Sequence, residues 1–373
     1  MASASSDAFR YAHAHSSEIT WMSQNTNHLV PADIVVQAVN EALTQRVYQE
    51  YPYAPGDPEL RSLLLADLGF PEESGFFLSA GGTEALYALT RALVRPGDEV
   101  LASDPSYLII HRFIELSGAR TVMPDIYRPP YRLTPELIEQ HLTPKTRMLL
   151  LIDPLNPLGS GYPKEEVRAI AEIAHDRKLL LLHDITYRDF ADHPTRAADF
   201  HPEGTLTVWS VSKNCGLAGL RVGGLVASPE LVRQVARYNT NDLGVNVLGQ
   251  RAAVALLRTK PQWIGEVRRQ TRENQERIHA AAAGWPGVEL PVYPSQANMF
   301  VLDVSGAGVT PDALQTELLY HHRVFVRSGA YLSPAHGGKF VRASFSNSQA
   351  DIDRFLTAFP HALAAVQVAP RAA

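Results

Sequence analysis

The segment Ser210-Val-Ser-Lys213-Asn-Cys-Gly-Leu-Ala-Gly-Leu-Arg221 sets a lysine among small residues, with an arginine eight positions later. A primary amine can condense with an aldehyde to an imine. Serine hydroxyls can donate to phosphate oxygens, and a guanidinium fork can hold two of them through parallel hydrogen bonds. Together these groups are what a carbonyl cofactor carrying a phosphate needs; the plain structural reading of the same residues is a polar loop closing a strand. A second segment, Leu78-Ser-Ala-Gly81-Gly82-Thr83-Glu84, runs from apolar text into a helical pattern. Its glycines let a ligand approach the backbone, and the N–H groups of a first helical turn favour an anion. Thr83 can add a hydroxyl there or simply cap the helix.

Further chemistry-bearing residues stand at the ends of apolar runs. In Leu151-Ile-Asp-Pro-Leu-Asn156-Pro157-Leu-Gly159 an asparagine precedes a proline, which holds it extended and gives its side chain a defined direction; a simple turn is the alternative. His183-Asp184-Ile-Thr-Tyr187 ends another run, where Asp184 also suits a helix N-cap. Asp104-Pro105-Ser-Tyr107 ends a third, and Tyr107 can stack on a planar ligand or fill the core. In Phe340-Val-Arg342-Ala-Ser-Phe345 the arginine can grip a carboxylate with both arms, or face solvent from an edge strand.

Taken in order, these stretches resemble the class I/II aminotransferases, fold-type I enzymes that use pyridoxal 5′-phosphate (PLP), over most of the chain. The resemblance implies that Lys213 carries PLP as a Schiff base and that Gly82, Thr83, Ser210, Ser212 and Arg221 hold its phosphate. It implies that Asp184 pairs with the pyridine nitrogen, making the ring an electron sink. Tyr187 and Asn156 would bond the ring's phenolic oxygen, Tyr107 would stack on the ring, and Arg342 would bind the substrate α-carboxylate, with Asn156 beside it. Tyr51-Pro-Tyr-Ala-Pro-Gly56-Asp-Pro-Glu-Leu60-Arg61 resembles the stretch whose tyrosine reaches the phosphate of a neighbouring subunit. Tyr51 fits that spacing better than Tyr53, so a homodimer with shared sites is implied. The chain departs from the family at Leu158, at Ile185 (usually Glu) and at Trp21-Met-Ser-Gln24-Asn25-Thr-Asn27-His28, which stands where a Gly-x-Pro segment is common. That amide-rich stretch can line the substrate side, Asn25 foremost, or merely link to Pro31. The expected reaction moves the amino group of an L-amino acid to a keto acid. The same residues would serve a PLP-dependent lyase, cyclase or oxidase acting on an unusual amino acid.

The elements that must hold these residues are legible as alternating short apolar runs and amphipathic helices between Tyr51 and Thr259. Runs at 76–79, 99–103, 148–152, 179–183, 206–210 and 222–227 are continuously apolar for the most part, as in strands buried on both faces of a mainly parallel sheet. Helical spacing shows at Glu84–Val94 and Lys164–Arg177. A polar helix from Trp263 to Ala283 then leads to strands at 298–304, 324–327 and 339–346 and helices at 311–322 and 349–364. The expected fold is α/β: a large domain (49–280) with a mainly parallel seven-stranded sheet, a smaller α/β domain (281–373), and an N-terminal segment (1–48) lying against the latter.

A chain of 373 residues exceeds one small core. Net charge −5 without a basic run argues against nucleic acid as a partner and against an anionic membrane surface. No apolar run is long enough to span a bilayer, and the start, Met-Ala-Ser-Ala-Ser-Ser-Asp, lacks the features of a secretory signal. The single cysteine, Cys215, excludes an intrachain disulfide and suits the cytoplasm, and two residues from Lys213 it reads as a small buried filler. His13 and His15 lack partner ligands and read as part of a mobile tail rather than a metal site, and the end, 368–373, as frayed.

Overall fold

The computed structural model describes residues 2–368, so the expected frayed end lies outside them except for Val368, which closes the last helix. In chain order, α1 (Ala2–Ala14), β1 (Thr20–Trp21) and α2 (Ala32–Thr44) come first, followed by α3 (Pro58–Leu68), β2 (Gly75–Ser79) and α4 (Gly82–Leu93). Next are β3 (Glu99–Leu101), α5 (Ile109–Leu116), β4 (Arg120–Val122), α6 (Pro135–His141), β5 (Thr146–Ile152), α7 (Lys164–Asp176), β6 (Leu180–Asp184) and β7 (Thr205–Ser210). The chain continues through β8 (Gly223–Ala227), α8 (Pro229–Ala236), α9 (Val247–Ala282), β9 (Met299–Asp303) and α10 (Pro311–His322). It ends with β10 (Val324–Phe325), β11 (Arg327–Ser328), β12 (Phe340–Ser344) and α11 (Gln349–Val368).

The large sheet has seven strands in the order β2-β8-β7-β6-β5-β3-β4. Only β8 runs against its neighbours; the other pairs are parallel. Residues of β6, β7 and β8 are buried throughout because helices cover both faces of the sheet. One face builds a core around Leu149, Leu181 and Leu206, the other around Trp209, Val222 and Leu256. Parallel strands bring their carboxyl ends to one edge, so the residues after β2, β5, β6 and β7 meet there, where open α/β sheets bind ligands.

A second core, with Phe300, Phe345, Phe355 and Phe359, lies under the antiparallel sheet β11-β12-β9. Arg342 therefore sits on the central strand, not an edge, opposite Arg327 on one side and Val301 on the other. The run at 324–327 is two short strands: β10 pairs in parallel with β1, and β11 pairs with β12. The edge strand β4 was not legible as a strand, because its three residues are exposed or half-buried.

Two expectations need correction. The helix expected from Trp263 begins at Asn246, whose side chain caps Leu248 and Gly249, and runs 36 residues. Pro261 lies inside it and leaves Leu257 O without its helical N–H; in the turn before, the Trp263 indole donates to Leu256 O (3.1 Å) and Thr259 Oγ1 to Ala255 O (2.9 Å). His13 and His15 are not on a loose tail. Ala8 and Ala12 of α1 are buried, Phe9 packs edge-on against Phe325, and His13 lies 5.1 Å from the Trp21 ring. No group of three metal-ligating side chains occurs among the described residues.

Candidate active site

The strand ends open into a cavity of about 730 Å³. Of the residues singled out by sequence, Gly82, Thr83, Tyr107, Asn156, Asp184 and Tyr187 line it. So do Ser210, Ser212, Lys213, Arg221, Arg342 and Asn25. Tyr51 does not; it is 77% exposed, with Tyr53 beside it at 67%.

Lys213 follows β7, and its Nζ donates to Gln24 O at 2.6 Å. Burial first, then the charges of Arg342 and Arg221, push its pKa down to about 7. A substantial share is thus free amine at neutral pH, the form that attacks a carbonyl. Its loop is braced from behind. Asn214 Nδ2 donates to Asp189 Oδ2 (2.7 Å), which also receives Lys260 of α9 (2.7 Å). Burial alone would raise the Asp189 pKa, but Lys260 and Arg188 hold it below the usual range.

Asp184 ends β6. One carboxylate oxygen, Oδ1, accepts from Thr186 N (3.0 Å) and Thr186 Oγ1 (2.6 Å), so Asp184 closes a turn with one oxygen rather than capping a helix. The other has no hydrogen bond from the described residues. Burial raises the Asp184 pKa, with the Thr186 bonds opposing, so a cationic partner in the cavity would be favoured. Tyr187 OH accepts from Asn25 Nδ2 (3.1 Å), and burial raises its pKa. Asn25 is buried in the left-handed region (φ 54°), a conformation that asparagine tolerates better than most residues.

Arg342 reaches in from β12. Its Nη1 donates to Asn156 Oδ1 (2.8 Å) and its Nη2 to Ser23 O, while Nε is buried without a partner. Burial lowers its pKa to about 10, which still leaves it charged.

The turn between β2 and α4 is shaped by glycine. A Cβ on Gly223 of β8 would lie 2.4 Å from Gly82 N and 2.6 Å from Gly81 C. Gly81 has φ +89°, and a Cβ there would strike the Arg221 guanidinium. Arg221 lies across this turn, donating to Ala80 O (3.0 Å) and Ala218 O (2.9 Å). Facing it, Ser210 Oγ bonds Ser212 Oγ (2.9 Å), and Thr83 Oγ1 lies 3.3 Å from Tyr107 OH. Thr83 is thus not the helix cap; that position is Gly81. The first-turn N–H groups of α4, two hydroxyls and one guanidinium make an anion cradle.

Phe9, Arg112, Arg327 and Tyr331 were not expected here, yet all four line the cavity. The signal for Arg327 is its register opposite Arg342, and for Phe9 the tertiary docking of α1.

A family model, Aminotransferase class I and II, matches residues 17–359, and the chain belongs to that family. It is 27% identical over 323 residues to a probable N-acetyl-LL-diaminopimelate aminotransferase of Bacillus subtilis, covering 84% of this chain and 81% of that protein. It is 30% identical over 283 residues to a probable N-succinyldiaminopimelate aminotransferase of Mycobacterium tuberculosis, covering 72% and 70%. The solved structure of N-succinyldiaminopimelate aminotransferase from M. tuberculosis superposes with a TM-score of 0.83 at 23% identity, covering 96% of both chains. That last likeness shows the fold, the fold-type I arrangement of a large mainly parallel sheet with a smaller α/β part. The protein is accordingly an aminotransferase, and none of these relatives carries the name of a lyase, cyclase or oxidase.

Proposed function

We propose that the cavity binds PLP at Lys213 and moves the amino group of an L-amino acid to a keto acid. The observation that carries this reading is a lysine whose pKa is depressed to about 7 sharing one cavity with a buried carboxylate that keeps a free oxygen. The donor set fits the cofactor: the glycine-lined cradle with Ser210, Ser212 and Arg221 suits its phosphate, and Tyr107 suits its ring. When bound, PLP supplies an aldehyde for amine exchange and a cationic ring that withdraws electrons from the substrate Cα.

The chain's residues do the rest. Asp184, through its free oxygen, holds the proton on the pyridine nitrogen. Asn156 accepts from Arg342 with Oδ1, leaving its Nδ2 to donate to the ring oxygen alongside Tyr187 OH. Arg342 lines the cavity and orients the substrate through its α-carboxylate. The Lys213 amine, once free, would take a proton from the substrate Cα as base and return it as acid.

The same reading has the protein act as a homodimer, with Tyr51 reaching the partner's phosphate; exposed Tyr48, Tyr51, Tyr53, Tyr238 and Leu243 supply apolar surface for it. It keeps 1–48 as a segment allied to a 281–373 domain, which the β1–β10 pairing supports for the first part, whereas Ile34, Val35 and Val39 of α2 pack on the core around Trp209 and Leu256. Its single, buried cysteine supports a cytoplasmic setting. No helix among the described residues is long and apolar enough to cross a membrane.

Borohydride reduction followed by peptide mass spectrometry should find a pyridoxyl adduct on Lys213, and ¹⁵N from a donor amino acid should appear in an added keto acid. An unmodified Lys213, or ammonia released with no label transferred, would overturn the proposal.

A further inference from the structure

The proposed chemistry uses no side chain of the amide-rich stretch that follows Trp21. That stretch runs along the cavity wall and is fixed there through its main chain at four successive residues. Met22 O accepts from Ser344 N (2.9 Å), Ser23 O from the Arg342 guanidinium, Gln24 O from Lys213 Nζ (2.6 Å) and Asn25 O from Asn298 Nδ2 (3.1 Å). Asn25 is thereby held buried in the left-handed region. Its side chain has one hydrogen-bond partner among the described residues, the Tyr187 hydroxyl at 3.1 Å.

A phenol has one proton to give and an oxygen that can accept. In Tyr187 the Asn25 N–H occupies the accepting side, and no described residue takes the proton. The charged and titratable groups acting on Tyr187 are Arg342 of β12, Asp184 of β6 and Tyr107. None of the three is hydrogen-bonded to its hydroxyl, so Asn25 alone decides which way the O–H points. A donor at the oxygen turns the proton away from itself, into the cavity, and polarises the O–H bond, which strengthens what that bond can donate. An amide offering its oxygen instead would draw the proton out of the cavity.

We propose that Asn25 is a positioning residue for Tyr187: its amide N–H aims the tyrosine proton at the ring oxygen of PLP, and its side chain serves the cofactor rather than the substrate. This deepens the aminotransferase reading and rests on it for the place of PLP at Lys213. A stronger donor draws negative charge from the ring oxygen, and the Lys213 nitrogen beside that oxygen then holds its proton less tightly. The absorption band of the bound cofactor should therefore change with pH at a lower midpoint when Asn25 is present than when it is removed. Arg342 and Arg221, the charges that act on Lys213, are the same in both cases.

A spectrophotometric pH titration of the holoenzyme tests this without any amino transfer. Asn25→Gly keeps the left-handed backbone and the main-chain carbonyls while removing the amide. Its midpoint should rise by about 0.3–1 pH unit, as expected for weakening one charge-assisted hydrogen bond. Asn25→Asp, an acceptor that the same backbone tolerates, should raise the midpoint at least as far, and it covers the case in which glycine loosens the segment. In a Tyr187→Phe background the amide has no hydroxyl to act through, so Asn25→Gly should there move the midpoint by less than about 0.2 unit. An unchanged midpoint in both single variants would overturn the proposal, as would a fall in either. So would a full shift that persists without the Tyr187 hydroxyl, the result expected if Asn25 only shapes the loop. Absence of the band from the unmodified protein is a separate outcome: it would remove PLP from Lys213, and this inference with it.

Discussion

At the scale of single residues, the chemistry depends on how far Lys213 has been moved from an ordinary lysine. Burial is the largest cause and Arg342 the next, so the effect belongs to the environment rather than to the side chain. A lowered pKa means that the neutral amine accumulates above about 7 rather than above the usual lysine value. The rate at which apoprotein captures PLP should therefore rise through pH 7 and level off beyond it. Arg342→Met removes one depressing charge and should shift that rise to higher pH, which stopped-flow absorption over pH 6–10 would resolve. A rise that stays put in the variant would show that burial and Arg221 set the pKa without Arg342. Lys213, Asp184, Asn156 and Arg342 were legible in the sequence because each lies in a short stretch of fixed chemistry. Their mutual bonds were not: Arg342 reaching Asn156, or Asn25 reaching Tyr187, joins positions 186 and 162 residues apart.

Elements were read best where burial is simplest. Strands β5 to β8 announce themselves as mostly apolar runs because both faces are covered. The three-residue edge strand β4 and the divided run at 324–328 did not, since pairing partners rather than composition define them. The helix expected to start at Trp263 starts some sixteen residues earlier, and Pro261 is an interior residue of α9. The most exacting element contact is between β8 and the start of α4. Gly223→Ala would push a methyl group into the Gly81–Gly82 backbone and should cost about 1–3 kcal/mol. The loss should fall on the anion cradle, so equilibrium dialysis should show weakened PLP retention beyond any drop in thermal midpoint. Retention equal to the parent protein would show that the turn can yield.

For the whole molecule, the informative residue is the one that stays outside the cavity. Tyr51 matches the spacing of a shared-site tyrosine and is among the most exposed aromatic residues. In the proposed homodimer, Tyr51→Phe should lower PLP affinity. Mixing it with Lys213→Ala should restore one complete site in each mixed dimer, with Lys213 from one subunit and Tyr51 from the other. Activity of the mixture above the sum of its parents, after subunit exchange, is the expected result; strict additivity would place Tyr51 in its own subunit's site or in none. The outer wall of the cavity, with Phe9 and Arg327, was beyond sequence reading because it forms only when α1 and β1 dock against the C-terminal sheet.

The segment threading between these parts carries its own optical probe. Ser23 and Gln24 lend their carbonyls to Arg342 and Lys213, and Trp21 stands two residues upstream, partly exposed, with its indole on Ser16 O. The other tryptophans, 209, 263 and 285, are buried. An acid seated on the Arg342 guanidinium alters the group that Ser23 O holds, so Trp21 emission should report arrival directly, and Trp21→Phe should silence that signal while the remaining three continue to fluoresce.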